Sequence, residues 1–304
     1  MSSRLLAALN SGRVLLMDGA MGTELQRAGL AEGECGEMWN LEHPERVRAI
    51  HQAYSTAGAE VLLTNTFQAN PSAMERHGLG AFYAEATWID ALGIAGILVA
   101  GAGASEPYIL ADIGPIIDPK TKQEFSDLRF IEQRAWWPGD DFPFHRDAVL
   151  LETCSSPRAL DAARIASGMD TVLLSLAFKH DPKNGPVSHS GHTPEWFAQR
   201  ARENGVSALG VNCGRDISIS DCAEILRRYR AQTDLPLFAR PNAGTPVKTA
   251  TGWQYPQNPE MMAAQLPELL KAGVCMVGGC CGTTPAHIAA FRKVIDEWNA
   301  RGGK

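Results

Sequence analysis

Cys280 and Cys281 stand side by side in Val277-Gly278-Gly279-Cys280-Cys281-Gly282-Thr283-Thr284-Pro285. Adjacent cysteines seldom close an unstrained disulfide on each other, but both can ligate one metal where flanking glycines let the backbone bend. A soft ion such as zinc takes thiolates tetrahedrally, so further ligands must come from elsewhere. Cys213, in Leu209-Gly210-Val211-Asn212-Cys213-Gly214, offers a third. It lies 67 residues ahead of Cys280, too far for a compact zinc knuckle. Like the pair, it follows a short apolar run and meets a glycine. If both runs are parallel strands of one barrel, their ends share a rim. Three thiolates leave one position of a tetrahedral ion open, the arrangement of a catalytic rather than a structural site. The plainer reading is three small buried residues beside Gly-rich turns.

The elements that must position these thiols repeat along the chain. Short apolar runs end in polar residues: Arg13 to Met17 before Asp18, Glu60 to Thr64 before Asn65, Tyr108 to Ala111 before Asp112 and Ala148 to Leu151 before Glu152. Thr171 to Leu176, Ala208 to Val211 before Asn212, Pro236 to Ala239 before Arg240-Pro241-Asn242, and Val274 to Val277 complete the series. Near-continuous apolar runs mark strands buried on both faces. Helical patterns separate them. Glu45 to Ala57 carries Val47, Ile50 and Tyr54 at helical spacing, Asp221 to Arg230 opens at Ser220-Asp221, and the last helix opens at Thr284-Pro285. Eight such units predict a single-domain (β/α)8 barrel over residues 1–304, with its chemistry at the carboxyl ends of the strands. The alternative is an open doubly wound sheet, but no Gly-x-Gly-x-x-Gly follows the first run.

Composition fits this reading. A chain of 304 residues, 45% hydrophobic and 20% charged, suits one soluble α/β barrel. A net charge of −6 with scattered Lys and Arg suggests no nucleic-acid partner. Seven cysteines do not pair evenly and no secretory signal opens the chain, so reduced thiols in the cytoplasm are expected. Ala91 to Ala104 is too short to span a bilayer and reads as a buried helix.

Six motifs carry a resemblance. Asp18-Gly19-Ala20-Met21-Gly22-Thr23-Glu24-Leu25, Thr64-Asn65-Thr66-Phe67, Glu152-Thr153, Val211-Asn212-Cys213, Pro241-Asn242-Ala243-Gly244 and the Cys280-Cys281 run occur in the order seen in the homocysteine S-methyltransferase family. This chain resembles that family from about Gly12 to the last helix. The family includes the homocysteine-binding module of cobalamin-dependent methionine synthase, betaine-dependent and S-methylmethionine-dependent enzymes. The resemblance implies a zinc-bearing (β/α)8 barrel with Cys213, Cys280 and Cys281 as metal ligands. It implies Glu152 and Asp18 as the residues that take the amino-acid end of the substrate. Backbone amides from Gly19 through Ala20 and Met21 to Gly22 would face its carboxylate, because glycine-rich turns before a helix expose N–H groups. Asn65, Asn212 and Asn242 would orient substrate or donate to the thiolates, or serve the fold alone.

The chemistry implied is methyl transfer to a thiolate. A thiol is only partly ionised at neutral pH, and a metal ion removes its proton. The expected reaction makes methionine from homocysteine. The chain ends soon after the barrel, which favours a small sulfonium donor such as S-methylmethionine or S-adenosylmethionine. A separate methylcorrinoid protein is the alternative donor, and another thiol or a selenol the alternative acceptor. A zinc-thiolate redox sensor is the non-enzymatic alternative, although a sensor needs no amino-acid clamp. A homo-oligomer is compatible with the sequence.

Two stretches depart from the family. Ala111-Asp112-Ile113-Gly114-Pro115 puts a carboxylate where a small-residue Gly-Ser turn is usual, and Trp136 to Phe144 replaces a longer helix. Cys35, Cys154, Cys222 and Cys275 read as small hydrophobes. His180, His189 and His192 fall in a Gly-, Pro- and Ser-rich stretch, Lys179 to Pro194, that reads as a mobile lid, with a second metal site as the alternative.

Overall fold

The computed structural model describes residues 4–100, 106–118, 120–125, 128–135, 146–214, 216–249 and 252–303. Eight strands form its centre: β1 (Leu15–Leu16), β2 (Val61–Leu63), β3 (Tyr108–Ile113), β4 (Ala148–Cys154), β5 (Val172–Leu176), β6 (Val206–Asn212), β7 (Leu237–Arg240) and β8 (Val274–Val277). Each pairs in parallel with its neighbours in chain order, and β1 also pairs with β8. A parallel bridge between Met17 and Val61 joins β1 to β2 and closes the ring. With helices packed around it, this is the (β/α)8 barrel that the sequence predicts. The strands fall where the apolar runs place them, shifted at their ends by a residue or two.

Alternation of side chains along the strands sorts the core into two layers. Leu15, Leu63, Leu110, Leu150, Leu173, Phe238 and Met276 point into the barrel and pack in one cluster. Leu5 and Leu9 of the helix Arg4–Leu9 join them. Arg4 donates to the Pro107 carbonyl and the Asp147 carboxylate, just before β3 and β4, so this helix covers the amino-terminal end of the barrel. The opposite parity, including Leu16, Leu62 and Ile109, packs against the helices through Val47, Tyr54, Trp88, Ile225 and Phe291. Followed two residues further, the inward parity of β3, β4, β5 and β7 turns from apolar to polar: Asp112 after Leu110, Glu152 after Leu150, Ser175 after Leu173, and Arg240 after Phe238. The apolar plug therefore ends in a polar floor at the carboxyl rim.

Several local expectations need correction. The helix Ile219–Arg230 is capped by Ser218, not Ser220. Ser218 accepts from the Asp221 N–H and Asp221 answers at the Ser218 N–H, a reciprocal cap that satisfies two helix-end donors. Lys179 to Pro194 is not an irregular loop: strands Phe178–Asp181 and Gly185–Ser188 pair as an antiparallel hairpin, and the helix Pro194–Ala201 follows. Ala91, Leu92, Ile94 and Ala95 are buried in the helix Ala81–Ala100, and residues 101–104 of that apolar stretch lie outside the described residues, as does Trp136 to Phe144. No helix among the described residues is long and apolar enough to cross a membrane.

The helix Pro44–Thr56 carries a buried His51 with no partner for either ring nitrogen. Burial lowers its pKa to about 4. The unfolded ring protonates near pH 6.5, so between those values the unfolded chain binds more protons and stability falls as the pH drops. His51→Leu should remove a loss of roughly 3 kcal/mol across that window. Denaturant midpoints of wild type and variant from pH 7 to pH 4 give the difference. Parallel curves would contradict the assignment.

Candidate metal centre

The ends of β6 and β8 bring three sulfurs together. Those of Cys213, Cys280 and Cys281 all lie within 4.8 Å of one another, the one such cluster of potential metal ligands among the described residues. The Cys280 and Cys281 sulfurs are 3.9 Å apart. Two sulfurs on one tetrahedral zinc ion sit about 3.8 Å apart, so the donor set and its spacing fit such an ion.

The backbone around the thiols is specialised. Cys213 adopts a left-handed φ of 51°, unusual for a residue with a side chain, and its N–H reaches the Arg240 carbonyl at 3.3 Å. On the other side, Cys280 N–H donates to Pro241 O at 2.9 Å and Ala243 N–H to Cys281 O at 2.9 Å. Both thiol segments therefore hang from the turn after β7. Gly278 makes room: a Cβ there would sit 2.6 Å from the Asp18 carbonyl. Gly282 has φ +82° and a Cβ there would meet the Tyr255 ring at 2.1 Å. The glycines beside the pair thus serve close approach as much as bending.

Two amides address the sulfurs. Asn242 Nδ2 lies 3.6 Å from Cys213 Sγ, and Asn212 Nδ2 lies 3.8 Å from Cys280 Sγ. Asn212 also ties in the neighbouring strands, accepting from Ser175 Oγ at 2.6 Å and donating to Thr153 Oγ1 at 2.7 Å. Hydrogen bonds from the thiols of Cys280 and Cys281 drive Cys213 well below the ordinary thiol range, with burial opposing and Asn242 helping. Donating to Cys213 pushes the other two up.

Beside the thiols lies a buried ionic group that sequence reasoning did not single out. Arg240 bridges the two predicted carboxylates: Nη1 bonds Glu152 Oε1, and Nη2 reaches Asp18 Oδ1 and the Gly19 carbonyl, each at 3.1 Å. All three side chains are almost fully buried. The other Asp18 oxygen accepts from Leu63 N–H at 2.8 Å. Burial raises the carboxyls of Asp18 and Glu152 to about 7, with Arg240 opposing. Burial also works against the guanidinium, but Glu152 and Asp18 outweigh it and keep it charged.

Other predicted positions are spent within the fold. Asn65 Nδ2 donates to Gly36 O and Asn40 Oδ1. Ala20 N–H goes to Thr283 Oγ1 at 3.1 Å, so it is not the open amide expected of that turn, while Met21 opens the helix Met21–Arg27 without a side-chain cap. Cys154 turns away from Glu152 into the helix-side core, because Thr153 takes a φ of 58° and the β4–β5 register shifts there. Cys35, Cys222 and Cys275 are free and outside the cluster. His180 faces Asp221, whereas His192 stacks on Trp196 and bonds Ser190, so these histidines do not converge.

Comparison with known proteins accords with this geometry. The family model for homocysteine S-methyltransferase matches residues 15–295. The chain belongs to the homocysteine S-methyltransferase family. It is 32% identical to a methionine synthase of Mycobacterium tuberculosis over 302 residues, covering 91% of this chain and 24% of that protein. A methionine synthase of Mycobacterium leprae is 33% identical over 311 residues, 94% of this chain and 25% of its own length. The chain thus spans about a quarter of these relatives. Among solved structures, the metallated form of the homocysteine methyltransferase MmuM from Escherichia coli shares the fold, with a TM-score of 0.70 and 23% identity over 94% of this chain and 98% of that one.

Within this family frame, Arg240 was legible only in part. Two acids at rim positions of a closed barrel require a buried cation, and Arg240 is the basic residue in register with inward Phe238. Arg240→Leu would leave two carboxylates without their cation, at a cost of about 3–5 kcal/mol at pH 8. Lowering the pH to 5 protonates them and should shrink that loss. Chemical denaturation at both pH values measures it, and an equal loss at both would count against the bridging role.

Proposed function

We propose that this chain transfers a methyl group to the thiolate of homocysteine and releases methionine, using a zinc ion held by Cys213, Cys280 and Cys281. The convergence of three sulfurs at the carboxyl rim carries the reading, and family membership supports it. A bound zinc ion would supply Lewis acidity that holds the incoming thiol as its thiolate at neutral pH. The protein's own groups do the rest. Asn212 and Asn242 aim amides at two of the ligand sulfurs. Asp18, Glu152 and Arg240 form the polar floor against which the amino-acid end of homocysteine lies. Phe238 and the apolar layer beneath exclude water from that floor. Positioning of sulfur and methyl group in line is the main kinetic contribution.

A small sulfonium compound, such as S-methylmethionine or S-adenosylmethionine, is the proposed donor. Three thiolates around a dication carry a net charge of about −1, and three carboxyl groups beside them share one Arg240, a setting that favours a cationic donor. A second reading takes the methyl group from a separate methylcorrinoid protein. The likeness to one quarter of two methionine synthases favours it, since a piece of a longer protein need not hold its own donor.

Methionine formation by zinc-loaded protein, compared with S-methylmethionine, S-adenosylmethionine, betaine and a methylcorrinoid, tests the proposal. Turnover with a sulfonium is expected, and turnover with the methylcorrinoid alone would select the second reading. No methionine from any donor would contradict both. Cys213→Ala, Cys280→Ala and Cys281→Ala should each lose stoichiometric zinc together with activity. Full zinc retention in all three variants would overturn the ligand set.

A further inference from the structure

The polar floor holds more acid than its one cation satisfies. Asp112 ends the inward parity of β3, two residues beyond Leu110, and is only 4% exposed. Its backbone is engaged: the N–H takes Thr64 Oγ1 at 3.1 Å, and the carbonyl accepts from Thr66 Oγ1 at 2.7 Å. Its carboxylate is not. Oδ1 is buried with no hydrogen-bond partner. Glu152, Arg240, Asp18 and Cys280 all lie within electrostatic reach of it. The Arg240 Nη groups go to Asp18, Gly19 and Glu152, and its buried Nε has no partner either, so Asp112 gains no hydrogen bond from the guanidinium. Native proteins rarely leave a buried carboxylate oxygen unpartnered unless a ligand completes it.

We infer that Asp112 receives the α-ammonium group of the thiol acceptor, because Arg240 already occupies the cationic position between Asp18 and Glu152. The inference rests on the thiol-acceptor reading above and names the residue that makes the site select an amino acid. The charge balance agrees. Asp18, Glu152 and Asp112 share one guanidinium, so a further bound cation is what lets more of them ionise. Burial first, and then the charge of Glu152, push the empty Asp112 carboxyl well above its ordinary range, so a bound cation is what would restore its ionised form. A polar site made for one ligand group rejects analogues that lack it, because its own atoms are then left unpaired.

Isothermal titration of the full-length zinc-loaded protein with L-homocysteine and with 4-mercaptobutanoate, the same thiol without the amino group, tests this. Wild type should bind homocysteine at least about tenfold more tightly. Asp112→Asn, nearly isosteric and unable to ionise, should bring the two affinities within about threefold while zinc content and the folding transition are kept. A merely structural role would weaken both thiols alike. Should Asp112→Asn not fold, Asp112→Ala gives the same comparison. An undiminished homocysteine preference in the variant would overturn the inference, as would equal affinities in wild type. If neither thiol bound wild type, the thiol-acceptor reading itself would fall, and this inference with it.

Discussion

Closure of the barrel at β1 is the constraint on which the rest of the site depends. Two residues wide, β1 still joins both ends of the sheet. Met17 N–H donates to Val277 O at 2.8 Å, Asp18 N–H to Val61 O at 2.9 Å, and Gly279 N–H to Asp18 O at 3.0 Å. These bonds hold Asp18 between β2 and β8, at the foot of the segment carrying Cys280 and Cys281. An open sheet would leave β1 and β2 at opposite edges and would not seat Asp18 against both. The closed ring lets a single guanidinium on β7 reach carboxylates just after β1 and on β4, and lets a thiol just after β6 meet two thiols beyond the end of β8.

Division of labour between the two poles of the site follows from the chemistry of their donors. The three sulfurs, a donor set that suits a soft cation, are gathered where backbone strain and close packing permit, at Cys213 and around Gly278 and Gly282. Oxygen and nitrogen groups gather on the inward parity above the apolar plug, where low dielectric makes each pairing count. Asn212 links the two poles, since its one amide touches Ser175, Thr153 and Cys280. Thr153 follows Glu152 directly, so the carboxylate and the Cys280 sulfur are held in register through the Asn212 side chain. A shift in either pole is therefore felt by the other.

Much of this was legible in the sequence because the barrel writes its strands as apolar runs ending in polar residues. The three cysteines, Asp18 and Glu152 could be placed at one rim from that pattern alone. Arg240 was harder to see: it reads as an ordinary strand-end residue until the parity of β7 puts it on the same inward row as Phe238. The fate of the Gly19 to Gly22 turn was also hidden, since only tertiary packing brings Thr283 Oγ1 to the Ala20 N–H. The hairpin after β5 was misread because its Gly, Pro and Ser content signals a loop, whereas cross-strand pairing of Phe178–Asp181 with Gly185–Ser188 orders it. Asp112 stood out as a departure from the family motif, but only its burial and its lack of a partner show that it faces inward.

The central claim is that Cys213, Cys280 and Cys281 hold a zinc ion with one position left for a substrate sulfur. X-ray absorption at the zinc edge, before and after addition of homocysteine, tests it most directly. The account predicts three sulfur neighbours at about 2.3 Å with one lighter atom in the resting protein, and four sulfurs once homocysteine is added. Four sulfurs at the outset, or a first shell that homocysteine leaves unchanged, would contradict it.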